Sequence, residues 1–127
     1  MSTHRILLAE DDRFLRKAAE TMLKRSGFVV TPAADGEEAL RLARESPPDL
    51  LLLDLIMPKM QGFDVLAALK ASPETAGIPV IVLSNLGQDS DVQLARERGA
   101  DDYIIKSNIA LEMLVERVRT FFAERAA

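Results

Sequence analysis

Acidic residues follow two apolar segments of the sequence that are too short to be ordinary helices. Asp54 comes directly after Leu50-Leu51-Leu52-Leu53, and Glu10-Asp11-Asp12 come after Ile6-Leu7-Leu8-Ala9. Short apolar runs of this kind are typical of strands in a parallel sheet that is covered on both faces. Open α/β sheets bind ligands and carry out chemistry at the carboxyl ends of their strands. Because an unpaired buried carboxylate is costly, we predict that Asp54 is the reactive residue.

Two further polar side chains follow later strand-like segments. Ser84 ends the segment from Ile78 to Leu83, and Lys106 follows the segment from Asp101 to Ile105. A parallel sheet would bring the hydroxyl and the ammonium to the same edge as the carboxylates. Together these groups supply a carboxylate nucleophile, a hydroxyl donor and a cation, so they are suited to phosphoryl chemistry. Asp54 can then attack a phosphoryl group to form an aspartyl phosphate.

The carboxylates of Glu10, Asp11 and Asp54 would converge at the ends of two strands and repel one another. Such a cluster either raises a pKa or holds a cation. Ligands that are all oxygen atoms favour Mg²⁺ (or Mn²⁺) over softer metals. We therefore predict a Mg²⁺ site, and we expect the metal and Lys106 to neutralise the oxygens of the transferred phosphoryl group.

Strand-like and helix-like segments alternate five times along the chain, without a linker, a low-complexity stretch or an internal repeat. This alternation predicts an α/β fold, a parallel sheet with helices on both faces. Right-handed crossovers leave a few topologies, and one of them is the doubly wound, flavodoxin-like strand order 2-1-3-4-5. In that order strands 1 and 3 are neighbours, so Glu10, Asp11 and Asp54 meet at one edge.

The helix ends carry recognisable signals. A helix is predicted from Arg13 to a left-handed cap at Gly27, and Asp35 with Glu38 predicts a capping box. A third helix follows Gly62 and is broken by Pro73 and Gly77. A fourth runs from about Asp89 or Ser90 to Arg98, and Ser107 or Asn108 is expected to cap the last one.

The composition restricts the class of protein. The 127 residues are expected to form a single domain, residues 1–127 with a core of about 5–122. The net charge of −4 does not favour direct binding to nucleic acid or to an anionic membrane. The absence of cysteine excludes disulfides, thiolate metal sites and cysteine nucleophiles. With no leader-like segment or membrane-spanning apolar run, a cytoplasmic protein is expected.

The sequence resembles the response-regulator receiver domain of two-component signalling over about Arg5 to Phe122. The resemblance is carried by residues at five predicted strand ends and near them: Glu10-Asp11, Asp54, Met57-Pro58, Gly62, Ser84, Gly99-Ala100-Asp101-Asp102-Tyr103 and Lys106. It implies that Asp54 is the phosphoacceptor, that Ser84 hydrogen-bonds the phosphoryl group, and that Lys106 is the invariant lysine of the family.

The resemblance also implies the metal ligands and the conformational switch. Asp11 and Asp54 would bind the metal directly, Glu10 through water, and Ile56 through its backbone carbonyl. Asp12 fits a helix-capping acid better than a ligand. Tyr103 corresponds to the switch aromatic, which turns inward as Ser84 moves toward the phosphoryl group.

Four positions depart from the family pattern or affect the chemistry that the family carries out. Ser107 replaces the usual proline of a cis peptide, and a non-proline cis bond costs about 2.5–4 kcal/mol, so we predict a trans bond. Asn85 is larger than the usual small residue after the hydroxyl and could restrict access. Ile56 and Leu86 are apolar and cannot orient a water molecule, so we predict slow self-dephosphorylation.

The function implied by the resemblance is that of a single-domain response regulator. It would accept a phosphoryl group from a sensor histidine kinase or a histidine phosphotransfer protein. A phosphorylation-dependent change at the helix 4–strand 5–helix 5 face would then signal to a downstream protein target. The protein would catalyse only its own phosphorylation and slow dephosphorylation, and would be a monomer or a weak dimer.

Alternative functions compete with that of a single-domain response regulator. A pseudo-receiver would bind proteins without phosphorylation, and the chain could also be the receiver fragment of a larger signalling protein. A haloacid-dehalogenase-like phosphatase would need a second Asp two residues after the nucleophile, where Ile56 stands. A flavin-binding module would need a phosphate-binding loop rich in Ser, Thr and Gly after strand 1, where the chain is acidic.

Overall fold

The computed structural model describes residues 3–126 and shows strands alternating with helices. The elements in chain order are β1 (Arg5–Ala9), α1 (Arg13–Arg25), β2 (Val29–Ala33), α2 (Gly36–Glu45), β3 (Leu50–Leu53), α3 (Gly62–Ala71), β4 (Val80–Ser84), α4 (Asp89–Glu97), β5 (Asp102–Ile105), a 3₁₀ turn (Lys106–Asn108) and α5 (Leu111–Ala126). The five strands are parallel and lie in the order β2-β1-β3-β4-β5. The predicted doubly wound fold is therefore confirmed.

The four leucines of β3 form the centre of the protein, and all four are fully buried. Leu51 and Leu53 pack with residues of α2, α3 and α4 on one face of the sheet. Leu50 and Leu52 pack with residues of α1 and α5 on the other face. Successive side chains of a strand point to opposite faces, so a run of four leucines fills both layers of core.

The N-caps of the first two helices are found as predicted, whereas the predicted capping box of α2 is incomplete, because Glu38 bonds to Ala34 and not to the cap residue Asp35. Asp12 caps α1, because its Oδ1 accepts hydrogen bonds from the backbone N–H groups of Phe14 and Leu15 at 2.9 and 3.1 Å. Asp35 caps α2 by accepting from the N–H of Glu38 at 2.8 Å, and Glu38 accepts in return from the N–H of Ala34 at 3.0 Å. These bonds satisfy backbone donors that have no partner inside the helix.

Three predicted boundaries were wrong. Strand β5 begins at Asp102, one residue later than predicted. Strand β4 begins at Val80, not at Ile78, because the N–H of Ile78 closes a turn onto the carbonyl of Thr75 at 3.1 Å. Ser107 and Asn108 do not cap the last helix. They lie in the 3₁₀ turn, and α5 begins at Leu111.

Gly62 is required by a close approach of backbone to backbone at the start of α3. A Cβ atom at this position would lie 2.2 Å from the carbonyl oxygen of Asp54 and 2.6 Å from the Cα of Leu55. The N–H of Gly62 also donates to the carbonyl of Leu55 at 2.9 Å. The loop that follows β3 is therefore held tightly against α3, directly beside Asp54.

Within residues 3–126, the structure contains no helix that is both long enough and apolar enough to cross a membrane.

Candidate functional site

The carboxyl ends of β1, β3, β4 and β5 open into one cleft. The sheet register aligns Ala9 with Leu53 and Ser84 with Ile105, so the residues that follow these strands become neighbours. The residues that line the cleft are Glu10, Asp11, Asp12, Asp54, Ile56, Ser84, Asn85, Leu86 and Lys106. All the predicted catalytic and metal-ligating residues therefore meet at one edge of the sheet.

Lys106 joins two buried carboxylates at the base of this cleft. Its Nζ lies 2.8 Å from Asp54 Oδ2 and 2.5 Å from Glu10 Oε1. Asp54 is 5% exposed and Glu10 is 1% exposed, although they follow strands that are far apart in sequence. The other oxygen of Asp54, Oδ1, accepts a hydrogen bond from the N–H of Ile56 at 3.3 Å. Both oxygens of the predicted phosphoacceptor are thus held in a defined orientation.

Burial shifts the pKa of Glu10 strongly. Desolvation raises the pKa of this carboxyl from 4.5 to about 7, and the nearby charge of Asp54 adds to the rise. Hydrogen bonds from Lys106 and from the N–H of Asp12 oppose it. Burial also disfavours the charged form of Lys106, but the hydrogen bonds to Asp54 and Glu10 outweigh that effect and raise its pKa. Lys106 therefore remains an ammonium in this site.

The carboxylates of Glu10, Asp11 and Asp54 fit a divalent cation. One oxygen from each of the three residues lies within 4.8 Å of the others. Glu10 Oε1 is buried, and its partner among the described residues is the ammonium of Lys106 at 2.5 Å. Three carboxylates that cluster beside this single ammonium suit a hard cation with oxygen ligands.

Asp12 takes no part in this cluster, since its carboxylate caps α1 as described above. Asp11, in contrast, is exposed, so a cation there would keep contact with solvent water.

Arg16 was not predicted as a site residue. Its Nη1 donates to the carbonyls of Glu10 and Asp11 at 2.9 and 3.3 Å, and so holds the acidic loop in place. The sequence shows Arg16 only as one of several charges on the polar side of α1.

Ser84 and Tyr103 both bond to the backbone of Leu86. Ser84 is fully buried, and its Oγ accepts from the N–H of Leu86 at 3.3 Å. The hydroxyl of Tyr103 donates to the carbonyl of Leu86, and the half-buried ring packs against the core on the side of α3 and α4. Burial, and next the charge of Asp91, raise the pKa of this phenol. The loop between β4 and α4 thus connects the hydroxyl of the cleft to the aromatic ring of β5.

The Lys106–Ser107 peptide bond is trans, as predicted. The loop after β5 therefore keeps Lys106 in the cleft without a cis bond.

Comparisons with known proteins agree with this geometry. Residues 6–119 match the family model described as the response regulator receiver domain. The transcriptional regulatory protein PrrA of Mycobacterium leprae is 40% identical over 127 residues, which cover 100% of this chain and 53% of PrrA. The chain spans about half, or less, of the length of the first curated relatives that it matches.

Solved structures show the same similarity. A CheY-like response regulator receiver domain protein from Methanospirillum hungatei superposes with a TM-score of 0.89 at 25% identity, covering 98% of both chains. The Mn²⁺-bound form of response regulator Rcp1 superposes with a TM-score of 0.84 at 30% identity, covering 94% of both chains.

Proposed function

The chain belongs to the response regulator receiver domain family, and from that premise we propose that it accepts a phosphoryl group on Asp54. The donor is the phosphohistidine of a sensor histidine kinase or of a histidine phosphotransfer protein. A carboxylate oxygen of Asp54 forms a bond to phosphorus while the bond from phosphorus to the imidazole nitrogen breaks. The released imidazole takes up a proton. One observation carries this proposal: a buried Asp54 held by Lys106 beside the acidic pair.

The charged residues around Asp54 have distinct roles in this reaction. Lys106 orients the Asp54 carboxylate before transfer and neutralises phosphoryl oxygens during it. Glu10, Asp11 and Asp54 would hold Mg²⁺ or Mn²⁺, with the backbone carbonyl of Ile56 as a further ligand. The cation supplies charge neutralisation to the carboxylates and to the phosphoryl group when it is bound. The chain catalyses only this transfer and the slow hydrolysis of the aspartyl phosphate, in which water takes the phosphoryl group as inorganic phosphate and the Asp54 carboxylate is released.

The response to phosphorylation is a shift between two conformations of the β4–α4 loop. A phosphoryl group adds negative charge and strong acceptors next to Ser84. As the Ser84 hydroxyl turns to donate to that group, its contact with the N–H of Leu86 is lost. Tyr103 is held by the carbonyl of the same residue, so the ring and the face formed by α4, β5 and α5 respond together.

The output of the signal is a protein contact at the α4–β5–α5 face, made by a monomer or a weak dimer. PrrA of Mycobacterium leprae is longer than this chain, so the receiver acts either as a single-domain regulator or as part of a larger signalling protein.

Intact mass after incubation with Mg²⁺ and a small acyl-phosphate donor tests the acceptor. We expect one added phosphoryl group in the wild type and none in Asp54→Asn. Asp12→Asn is the matched control, because asparagine also caps helices and the residue lies in the same cleft. It should label like the wild type.

Two outcomes would count against the proposal. Labelling of Asp54→Asn would place the acceptor elsewhere. An unlabelled wild type that also fails to bind Mg²⁺ would identify a pseudo-receiver, which binds proteins without phosphorylation.

A further inference from the structure

A single hydrogen bond connects the loops that follow β4 and β5. The backbone N–H of Ser107 donates to the side-chain Oδ1 of Asn85 at 3.1 Å, across 22 residues of sequence. The last paired residues of these strands are Ser84 and Ile105, so the bond extends the contact between the strands by one step beyond the sheet. Lys106 lies between Ile105 and Ser107 and is thus held on both sides.

Apart from the ion pairs of Lys106, few contacts hold the backbone of this loop. The 3₁₀ turn contains three residues and is closed by one long bond, from the N–H of Ile109 to the carbonyl of Lys106 at 3.3 Å. Ile105 precedes the turn and has an apolar side chain, which cannot cap it. A backbone donor at the start of a turn needs a partner, and Asn85 supplies one from another loop.

The other side of Lys106 faces a small apolar pocket. The pocket has a volume of about 80 Å³, is partly open to solvent and lies between α1, the end of β4 and the start of α5. Its lining residues besides Lys106 are Leu15, Leu83, Ile109, Ala110, Leu111 and Leu114. Side chains at an open pocket have fewer packing partners than side chains in a filled core. The loop that carries Lys106 is therefore held chiefly by the ion pairs of the lysine and by polar contacts on the Asn85 side.

We propose that Asn85 is a positioning residue for Lys106 and acts through the backbone N–H of Ser107. The bond fixes the backbone at Lys106, so that the ammonium reaches both Asp54 Oδ2 and Glu10 Oε1. Proline at position 107 has no N–H and could not make this contact. The pair Asn85 and Ser107 thus holds the lysine in a chain whose loop has a trans peptide bond. The effect on catalysis rests on the proposed phosphotransfer to Asp54, whereas the effect on the lysine does not.

Proton exchange from the Lys106 ammonium measures its position without any phosphorylation. The ¹H–¹⁵N signal of this group is assigned by its loss in Lys106→Met. A neutral hydrogen bond changes an equilibrium by roughly 2- to 12-fold. We therefore expect Asn85→Ala to speed ammonium exchange by about 3- to 10-fold, and to slow labelling by the acyl-phosphate donor by a similar factor.

Two variants of Ser107 separate the backbone bond from the side chain. Ser107→Pro removes the N–H and should reproduce the effect of Asn85→Ala. Ser107→Ala keeps the N–H and should behave like the wild type. Combining Asn85→Ala with Ser107→Pro should give no further change, because both remove the same bond. Circular dichroism should show that all variants are folded, since Asn85 and Ser107 are exposed.

The alternative is that Asn85 acts only by its bulk at the mouth of the cleft. In that case Asn85→Ala would change labelling without changing ammonium exchange, or its effect would be undiminished in the Ser107→Pro background. Either result overturns the inference. If ammonium exchange responds as expected while the wild type cannot be labelled, the positioning role stands and the proposed phosphotransfer fails.

Discussion

Removal of the Lys106 ammonium should destabilise the protein and make it more dependent on divalent cations. The Lys106→Met variant keeps a long side chain and loses the charge that joins Asp54 and Glu10. The side chains of these acids are only 6% and 2% exposed, and that of Lys106 is 14% exposed. The variant therefore leaves two buried carboxylates facing each other without their shared cation.

The expected size of the effect follows from this burial. Removing one partner of a buried ion pair costs roughly 3–5 kcal/mol. The lower end, about 3 kcal/mol, applies here, because Lys106 is partly exposed and Glu10 can take up a proton. For a domain of this size, 1 kcal/mol corresponds to a change of about 3–5 °C in Tm, so Tm should fall by about 9–15 °C.

Thermal unfolding followed by circular dichroism, at pH 8 with and without Mg²⁺, measures the effect. A bound cation stabilises the folded state by RT ln(1 + c/Kd), where c is the Mg²⁺ concentration, so tighter binding gives a larger rise in Tm. Mg²⁺ should raise Tm more in Lys106→Met than in the wild type, because the cation then replaces the missing ammonium. Lys24→Met is the matched control, since Lys24 forms a surface ion pair with Glu20 at 2.7 Å. That pair is worth less than about 1 kcal/mol.

Two results would refute this reasoning. If Lys106→Met lowers Tm no more than Lys24→Met does, the ammonium does not compensate the buried carboxylates. If Mg²⁺ stabilises the wild type and Lys106→Met equally, the metal and the ammonium act on separate groups.

Three further predictions test other parts of the site. Gly62→Ala should lower the free energy of unfolding, measured in urea, by more than about 2 kcal/mol and should slow labelling of Asp54, because the new Cβ collides with the backbone of Asp54 and Leu55. An unchanged midpoint of urea unfolding would contradict the close approach of the backbone at Gly62. Asp12→Ala should cost about 1 kcal/mol of stability, because the helix cap is lost, and should leave the Mg²⁺ affinity unchanged. Asp11→Asn should instead weaken Mg²⁺ binding more than tenfold, as measured by calorimetry. If Asp12→Ala weakened Mg²⁺ binding more than Asp11→Asn, the two residues would have to exchange roles. The labelled protein should lose its phosphoryl group slowly, as measured by intact mass against time. Ile56→Asn should accelerate this loss, because it places a polar group at the cleft. Rapid loss from the wild type would refute the role given to the apolar Ile56 and Leu86.

The sequence alone determined the parallel α/β architecture and the principal residues of the site, and the structure selected the order 2-1-3-4-5 from the few that the sequence allowed. The four leucines make both faces of β3 apolar, and a strand can bury both faces only if helices cover the sheet on each side. Once alternating strands and helices imply a parallel sheet, the residues after β1, β3, β4 and β5 must share one edge. The placement of Glu10, Asp11, Asp54, Ser84 and Lys106 was therefore predictable. Helix caps are also local, and Asp12 and Asp35 were assigned correctly.

Only the tertiary structure decided how these side chains bond to one another. Lys106 contacts Glu10 as well as Asp54, and Tyr103 bonds to the backbone of Leu86. Arg16 holds the acidic loop after β1. Ser107 lies in a 3₁₀ turn where a helix cap was predicted, and its N–H bonds to the side chain of Asn85, 22 residues away. Such contacts depend on ångström-scale positions of loops set by packing across the whole sheet, whereas sequence patterns report mainly on residues that are neighbours along one helix or strand.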